Sequence, residues 1–193
     1  GAAELARLLG GVDVADRQGL DLGCGLGGYD ELLVHEHGAG HVTGVDVNAA
    51  AIDHARRRAL DAGLADRLTF LAVDEGPLPF ADGAFDFAVS KDSIVDMPEK
   101  APVLAELYRV LAAGGRLFIS DWFRGDAPYT PEMEAWATTG DETYEMASLR
   151  STAAELAAAG FVDVETEDRS DWFAGFCRDE RDRLAGRLKA IYE

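Results

Sequence analysis

Gln18-Gly19-Leu20-Asp21-Leu22-Gly23-Cys24-Gly25-Leu26-Gly27-Gly28 decides the fold of this chain. A short apolar run breaks into clustered glycines, and Tyr29-Asp30-Glu31-Leu32-Leu33 then begins a helical pattern. The order is strand, tight turn, helix. Glycine is required where the backbone turns with positive φ or where a ligand approaches with no Cβ in the way. The helix behind such a turn aims its free N–H groups at whatever rests on the turn. The stretch therefore reads as a nucleotide-type cofactor site.

Outward from this turn, short apolar runs alternate with helical patterns, as in a parallel sheet covered on both faces. His41–Asp46 reads as a second strand, and Asn48 caps a helix through Ala62, closed by Gly63. Leu68–Val73 and Phe85–Ser90 read as the third and fourth strands, separated by the turn-rich Gly76–Gly83. Pro98 opens a helix with Val103, Leu104, Leu107 and Leu111 on one face, ended by Gly114-Gly115. Arg116–Ser120 is the fifth strand, and a helical pattern follows from Thr130. Thr152 and Glu155 form a capping-box pair for a helix ending at Gly160. Phe161–Thr166 alternates like a sixth strand, and the chain is helical from Asp171. The expected architecture is a Rossmann-like, doubly wound α/β sheet, with residues 1–193 forming one domain.

Composition limits the function. Thirty-six acidic against 18 basic side chains give a net charge of −18, which repels nucleic-acid phosphates and anionic membranes. Neither is an expected partner. Cys24 and Cys177 make no disulfide framework, which suits a reducing cytoplasm, and neither has company at zinc-site spacing, so no metal is expected. No apolar run approaches the roughly 20 residues that span a bilayer. His35, His37, His41 and His54 fall on the first two helices or their linking loop, away from the strand ends.

Acids or polar residues stand at or near the strand ends: Asp21, Asp46, Asp74 and Ser90. Ligands of open α/β sheets bind in the crevice beyond those ends. An acid ending the second strand is placed to accept hydrogen bonds from ribose hydroxyls. The glycine run also satisfies G-x-G-x-x-G, with Asp46 about 20 residues on, so an NAD-dependent oxidoreductase stays open at this point.

Leu20-Asp21-Leu22-Gly23-Cys24-Gly25-Leu26-Gly27 resembles the first motif of class I S-adenosylmethionine-dependent methyltransferases. Gly44-Val45-Asp46 is similar to their ribose-binding acid and Val73-Asp74 to their adenine-side acid. Leu78-Pro79-Phe80 with Phe85-Asp86, and Leu107 to Leu117, resemble the segments leading into their fourth and fifth strands. The resemblance covers about residues 18 to 168 in order. It implies S-adenosylmethionine as cofactor, S-adenosylhomocysteine as product, and a donor site of Asp21, Gly23, Cys24, Gly25, Asp46, Val47, Asp74, Glu75, Ser90 and Lys91.

Ser90–Met97, with Ile119–Trp122 and Glu167–Asp171, further resembles the small-amine N-methyltransferases, among them the phosphoethanolamine and glycine–sarcosine enzymes. The resemblance implies that Lys91 meets the methionyl carboxylate and that Asp92 lies near the transfer site. Asp96 stands where the phosphoethanolamine enzymes have a catalytic histidine. Gly140-Asp141-Glu142 stands where they place an arginine and a tyrosine for the phosphate. Carboxylates repel a phosphate and attract a cation. The expected acceptor is a small amine, with Asp92 and Asp96 as catalytic candidates and Trp122, Trp136 and Asp141 as substrate contacts. The family's N-terminal lid helices and antiparallel seventh strand are not recognisable here. A methyltransferase-fold protein that keeps the cofactor site without methylating is the remaining alternative.

Overall fold

In the computed structural model, which describes residues 1–125, 127–138 and 146–192, five strands form one parallel sheet. They are β1 (Gln18–Leu22), β2 (His41–Asp46), β3 (Leu68–Ala72), β4 (Phe85–Lys91) and β5 (Leu111–Ser120), in the order β3-β2-β1-β4-β5. Helices α1 (Ala2–Leu9), α2 (Gly28–His35) and α3 (Ala49–Asp61) precede β3. α4 (Lys100–Val110) joins β4 to β5, and α5 (Pro131–Ala137), α6 (Leu149–Ala159) and α7 (Ser170–Tyr192) follow. The strand order reverses between β1 and β4, which opens a crevice at their carboxyl ends.

Each face of the sheet carries its own core, because strand side chains alternate. Leu5 and Leu9 of α1, Leu33 and Val34 of α2, and Ile52 of α3 pack against Val42, Phe70, Phe87 and Val89. Leu104 and Leu107 of α4 pack on the other face against Leu20, Leu22, Val45 and Ala88. Gly19 lets the sheet close: a Cβ there would lie 2.3 Å from Cζ of Phe87, its neighbour on β4. The turn-rich loop before β4 is pinned to α4 by Arg109. Its guanidinium donates to the carbonyls of Phe80 (2.7 Å) and Leu78 (3.1 Å) and pairs with Asp82 and Glu106.

Four expectations need correction. Phe161–Thr166 is not a strand: Asp163 takes a left-handed φ of 53° that breaks the extended run, while Phe161 turns in to stack edge-on with Tyr108. α6 starts a turn earlier than Thr152 and Glu155 suggest, because Ser148 and Ser151 cap it reciprocally. α4 begins at Lys100 rather than Pro98. β5 begins at Leu111, and Gly114-Gly115 sits inside it as a bulge, between the pairings Phe85↔Leu111 and Phe87↔Arg116. The remaining strands agree with the sequence reading to within a residue or so, as do the Asn48 cap, whose side chain accepts from Ala50 and Ala51, and the helical C-terminal segment.

Candidate functional site

The glycine turn is built against the end of β2. The amides of Gly23 and Cys24 both donate to the Val45 carbonyl, at 2.8 and 3.0 Å. Gly25, in left-handed backbone at φ 52°, donates to Asp46 Oδ2 at 2.9 Å. Asn48, the cap of α3, donates to Asp46 Oδ1 at 2.8 Å. One carboxylate thus ties the turn to the β2–α3 corner. Each of its oxygens keeps a second lone pair, which suits a vicinal diol lying across them. Gly23 also closes the far bank, since a Cβ there would meet Ser93 Oγ at 1.8 Å.

The other donor-side candidates sit around this brace. Val47 is exposed beside Asp46, and Asp74 and Glu75 are exposed just beyond β3, whose continuation is held by a Val73 amide bond to the Asp46 carbonyl. Lys91 pairs with Asp92 and lies 5.7 Å from the ring centre of Tyr29, on the first turn of α2. Two candidates present no free side chain to a ligand. Ser90 is fully buried and donates to the Leu22 carbonyl at 3.0 Å, and the Cys24 thiol is buried, its pKa driven up by desolvation and by nearby acids. These positions offer backbone alone. Asp21 is almost fully buried on β1, facing the buried Asp30 of α2. Burial pushes its carboxyl up to about 7.

On the β4–β5 side a cleft of about 230 Å³ is lined by Asp92, Val95, Asp96, Trp122, Trp136 and Met146. Asp92 caps the end of β4 in left-handed backbone (φ 52°), held by its amide bond to the Ser120 carbonyl. Asp96 ends a short 3-10 turn, Ile94–Asp96. Asp121 organises both walls: its oxygens accept from the amides of Val95 (3.0 Å) and Trp122 (2.7 Å), while burial holds its pKa above the usual carboxylate range. The Trp122 and Trp136 rings stand 6.1 Å apart, centre to centre, and Phe173 of α7 meets Trp122 edge-on at 4.8 Å.

The structure thus gathers Asp92, Asp96, Trp122 and Trp136 into one cleft, while Asp141 lies outside the described residues. Asp30, Asp121 and Phe173 were not singled out from sequence. An acid ending β5 was a usable signal for Asp121; Phe173 reaches the cleft only through the packing of α7, which no local pattern shows. The histidines stay away from this crevice; His41 opens β2 rather than lying in the linking loop, and it bonds Thr69 at 2.8 Å on the side of the sheet away from β5. Among the described residues no cluster of His, Cys, Asp or Glu could hold a metal, and no helix is long and apolar enough to cross a membrane.

A parallel sheet with this order and a glycine turn braced by the acid that ends β2 fit the Rossmann-like fold of class I methyltransferase domains. The sequence profile of a family described as a methyltransferase domain matches residues 20–115, and the chain carries such a domain. This match answers the cofactor question that G-x-G-x-x-G left open, against the NAD-dependent alternative. Phosphoethanolamine N-methyltransferase 1 of Arabidopsis thaliana is 32% identical over 165 residues, covering 86% of this chain and 33% of that protein. A sterol 24-C-methyltransferase of Gibberella zeae is 32% identical over 154 residues, covering 77% of this chain and 40% of that protein. Among solved structures, one described provisionally as a sarcosine dimethylglycine methyltransferase from Galdieria sulphuraria superposes with a TM-score of 0.77 at 28% identity. It covers 88% of this chain and 63% of that one. The chain spans about a third of the length of the first curated relatives that it matches.

Proposed function

We propose that residues 1–193 form one S-adenosylmethionine-binding domain that methylates a small, cationic amine, working in a reducing, cytoplasmic setting. One observation carries the acceptor half of this reading. The cleft of Asp92, Asp96, Trp122 and Trp136 begins at Asp92, which pairs with Lys91, and the next residue, Ser93, abuts Gly23 of the glycine turn, so an amine held there would lie next to the donor site. The relatives named as N-methyltransferases support the amine, and the sterol relative marks carbon as the competing acceptor atom.

The donor, when bound, supplies an electrophilic methyl group on a sulfonium. Asp46 would take the ribose diol, with Val47 beside it and Asp74 and Glu75 on the adenine side. Lys91 would face the methionyl carboxylate, the backbone of Gly23, Cys24, Gly25 and Ser90 would shape the floor, and the methionyl ammonium would lie over the glycine turn, above the carboxyl of Asp21. An acceptor –NH₃⁺ has no lone pair, so it must lose a proton before attack. Asp92 and Asp96 would hold the ammonium group, orient the nitrogen and receive that proton on the way to water. The indoles of Trp122 and Trp136 would meet its methylated face by cation–π attraction and exclude water from it. A phosphorylated amine fits poorly, because Asp92 and Asp96 would sit against its charge.

Calorimetric titration with S-adenosylhomocysteine and with NAD tests the donor half. The expected result is binding of the first and none of the second; the reverse would overturn it. Incubation with S-adenosylmethionine and a panel of free and phosphorylated amines tests the acceptor half. Turnover of phosphoethanolamine in preference to unphosphorylated amines would reject the cationic cleft. Donor binding with no methylated amine would move the chain to the non-methylating alternative.

A further inference from the structure

Beneath the glycine turn lies an acidic nook that the transfer chemistry does not use. Asp30, in the first turn of α2, is 0% exposed, and neither carboxylate oxygen has a hydrogen-bonding donor. Its facing group is the carboxyl of Asp21, itself only 4% exposed on β1. The nook is tight: a Cβ on Gly44 of β2 would lie 2.8 Å from Asp30 Oδ1, 2.8 Å from Cys24 Cβ and 2.7 Å from Phe70 Cδ1.

Two buried carboxylates in contact, with no donor to either oxygen of Asp30, cannot both be ionised. The titratable groups that face them are the Cys24 thiol of the turn, Asp46 at the end of β2, and Tyr29 and Glu31 on α2. Phe70 of β3 and Ala55 of α3 present apolar surface to the same corner. The nearby cations are engaged elsewhere: Arg58 with Glu31, and Lys91 with Asp92. Desolvation raises both acids of the pair, Asp30 well above the ordinary carboxylate range. A proton placed between them satisfies Asp30 and removes the repulsion.

We propose that Asp21 and Asp30 share one proton in the free protein, and that this proton leaves to solvent when the ammonium-bearing end of the methyl donor settles on the glycine turn. The inference rests on the donor reading above. The arriving cation replaces the proton as the compensating charge, so no oxidant or further reactant is needed. Asp30 acts through Asp21 and is a positioning residue. Because binding releases a proton, donor affinity rises with pH through the range in which the pair titrates, by up to about tenfold per pH unit.

Infrared spectra of the free protein at neutral pH should show the carbonyl stretch of a protonated carboxylic acid, lost in Asp30→Asn. Titration with S-adenosylhomocysteine in two buffers of different ionisation enthalpy should then show release of close to one proton on the acid side of the titration range. Adenosine, which lacks the amino-acid end, should release none, and Asp30→Asn should bind with an affinity flat in pH. An absent carboxylic-acid band, or equal heats in the two buffers, overturns the shared proton or its linkage respectively. The wild-type measurements decide this even where a variant fails to fold. Failure of S-adenosylhomocysteine to bind at all would sink the donor reading and the linkage with it, while the infrared band still judges the shared proton.

Discussion

Replacing Asp46 by Ala perturbs the one side chain that holds both the glycine turn and, under the proposed function, the ribose. In the free protein it accepts from Gly25 at 2.9 Å and from Asn48 at 2.8 Å. The Asn48 bond is exposed, and water replaces it at little cost. The Gly25 bond is half-buried and charge-assisted, so its loss should lower stability by about 1 kcal/mol. The bound state loses more. The two charge-assisted bonds to the diol vanish, and the loosened turn must be ordered again as the donor settles. A charge-assisted bond contributes about 1.5–3 kcal/mol, so S-adenosylhomocysteine affinity should fall about 10- to 150-fold. Calorimetric titration paired with urea unfolding separates the two effects. Asp46→Asn, keeping one acceptor oxygen, should fall between wild type and Ala. An Asp46→Ala protein that folds and binds within about threefold of wild type, well under 1 kcal/mol, would remove Asp46 from the ribose site.

Gly44→Ala should lower unfolding free energy by about 1–3 kcal/mol, because the added methyl presses on Phe70, Cys24 and Asp30 at once; undiminished stability in denaturant titration would mean the nook is roomier than described. Trp122→Ala should raise KM for a cationic amine by about 2- to 30-fold, the range of a cation–π contact, with S-adenosylhomocysteine affinity unchanged. A matching loss of cofactor affinity would place Trp122 in the donor site instead. Asp21 titrates near 3.8 in the unfolded chain and about 7 when folded, so between these values the folded state holds a proton that the unfolded chain has released. The stability that Asp21 contributes is therefore full below about pH 4 and is lost as pH rises through about 7, and Asp30, raised in the same direction, adds a fall of the same sign. Asp30→Asn should flatten that fall, and identical pH profiles for variant and wild type would show that the pair does not titrate in this window.

What could be read from the sequence depended on whether a signal was local. Gly25 and Asp46 were legible because a glycine turn after one strand and an acid ending the next are each written in a few contiguous residues. The alternating run Phe161–Thr166 carried an equally local signal and misled, since a strand also needs a partner, and Asp163 turns the backbone away instead. Thr152 with Glu155 has the form of a capping box, yet Ser148 and Ser151 cap α6 one turn earlier, and the local pattern does not say which turn the packing will favour. Asp30 reads as an ordinary first-turn acid, of the kind that complements a helix dipole in water. Its burial is decided by Gly44 on another strand, which leaves room for the carboxyl under the turn. The Trp122–Trp136–Phe173 group likewise joins residues from three separate segments.

The placement of acids has a consequence for how the proposed transfer is timed. The crevice gathers Asp21, Asp46, Asp74, Asp92, Asp96 and Asp121 at or near strand ends, while Lys91, a cation beside it, is paired with Asp92. Such a field admits cations on both sides: a sulfonium donor over the turn and an ammonium acceptor in the cleft. It also opposes reaction as long as the acceptor keeps its proton, because Asp92 and Asp96 stabilise the charged form that has no lone pair. The same carboxylates that favour capture therefore make deprotonation the step on which transfer waits. Under this reading kcat should climb with pH to a plateau set by the bound amine, while KM for the acceptor stays nearly flat below that point. Replacing Asp96 by Asn should lower the pH at which the plateau is reached, because a bound ammonium with one fewer carboxylate beside it is the stronger acid. A plateau that stays put in Asp96→Asn would show that Asp96 does not face the reacting nitrogen.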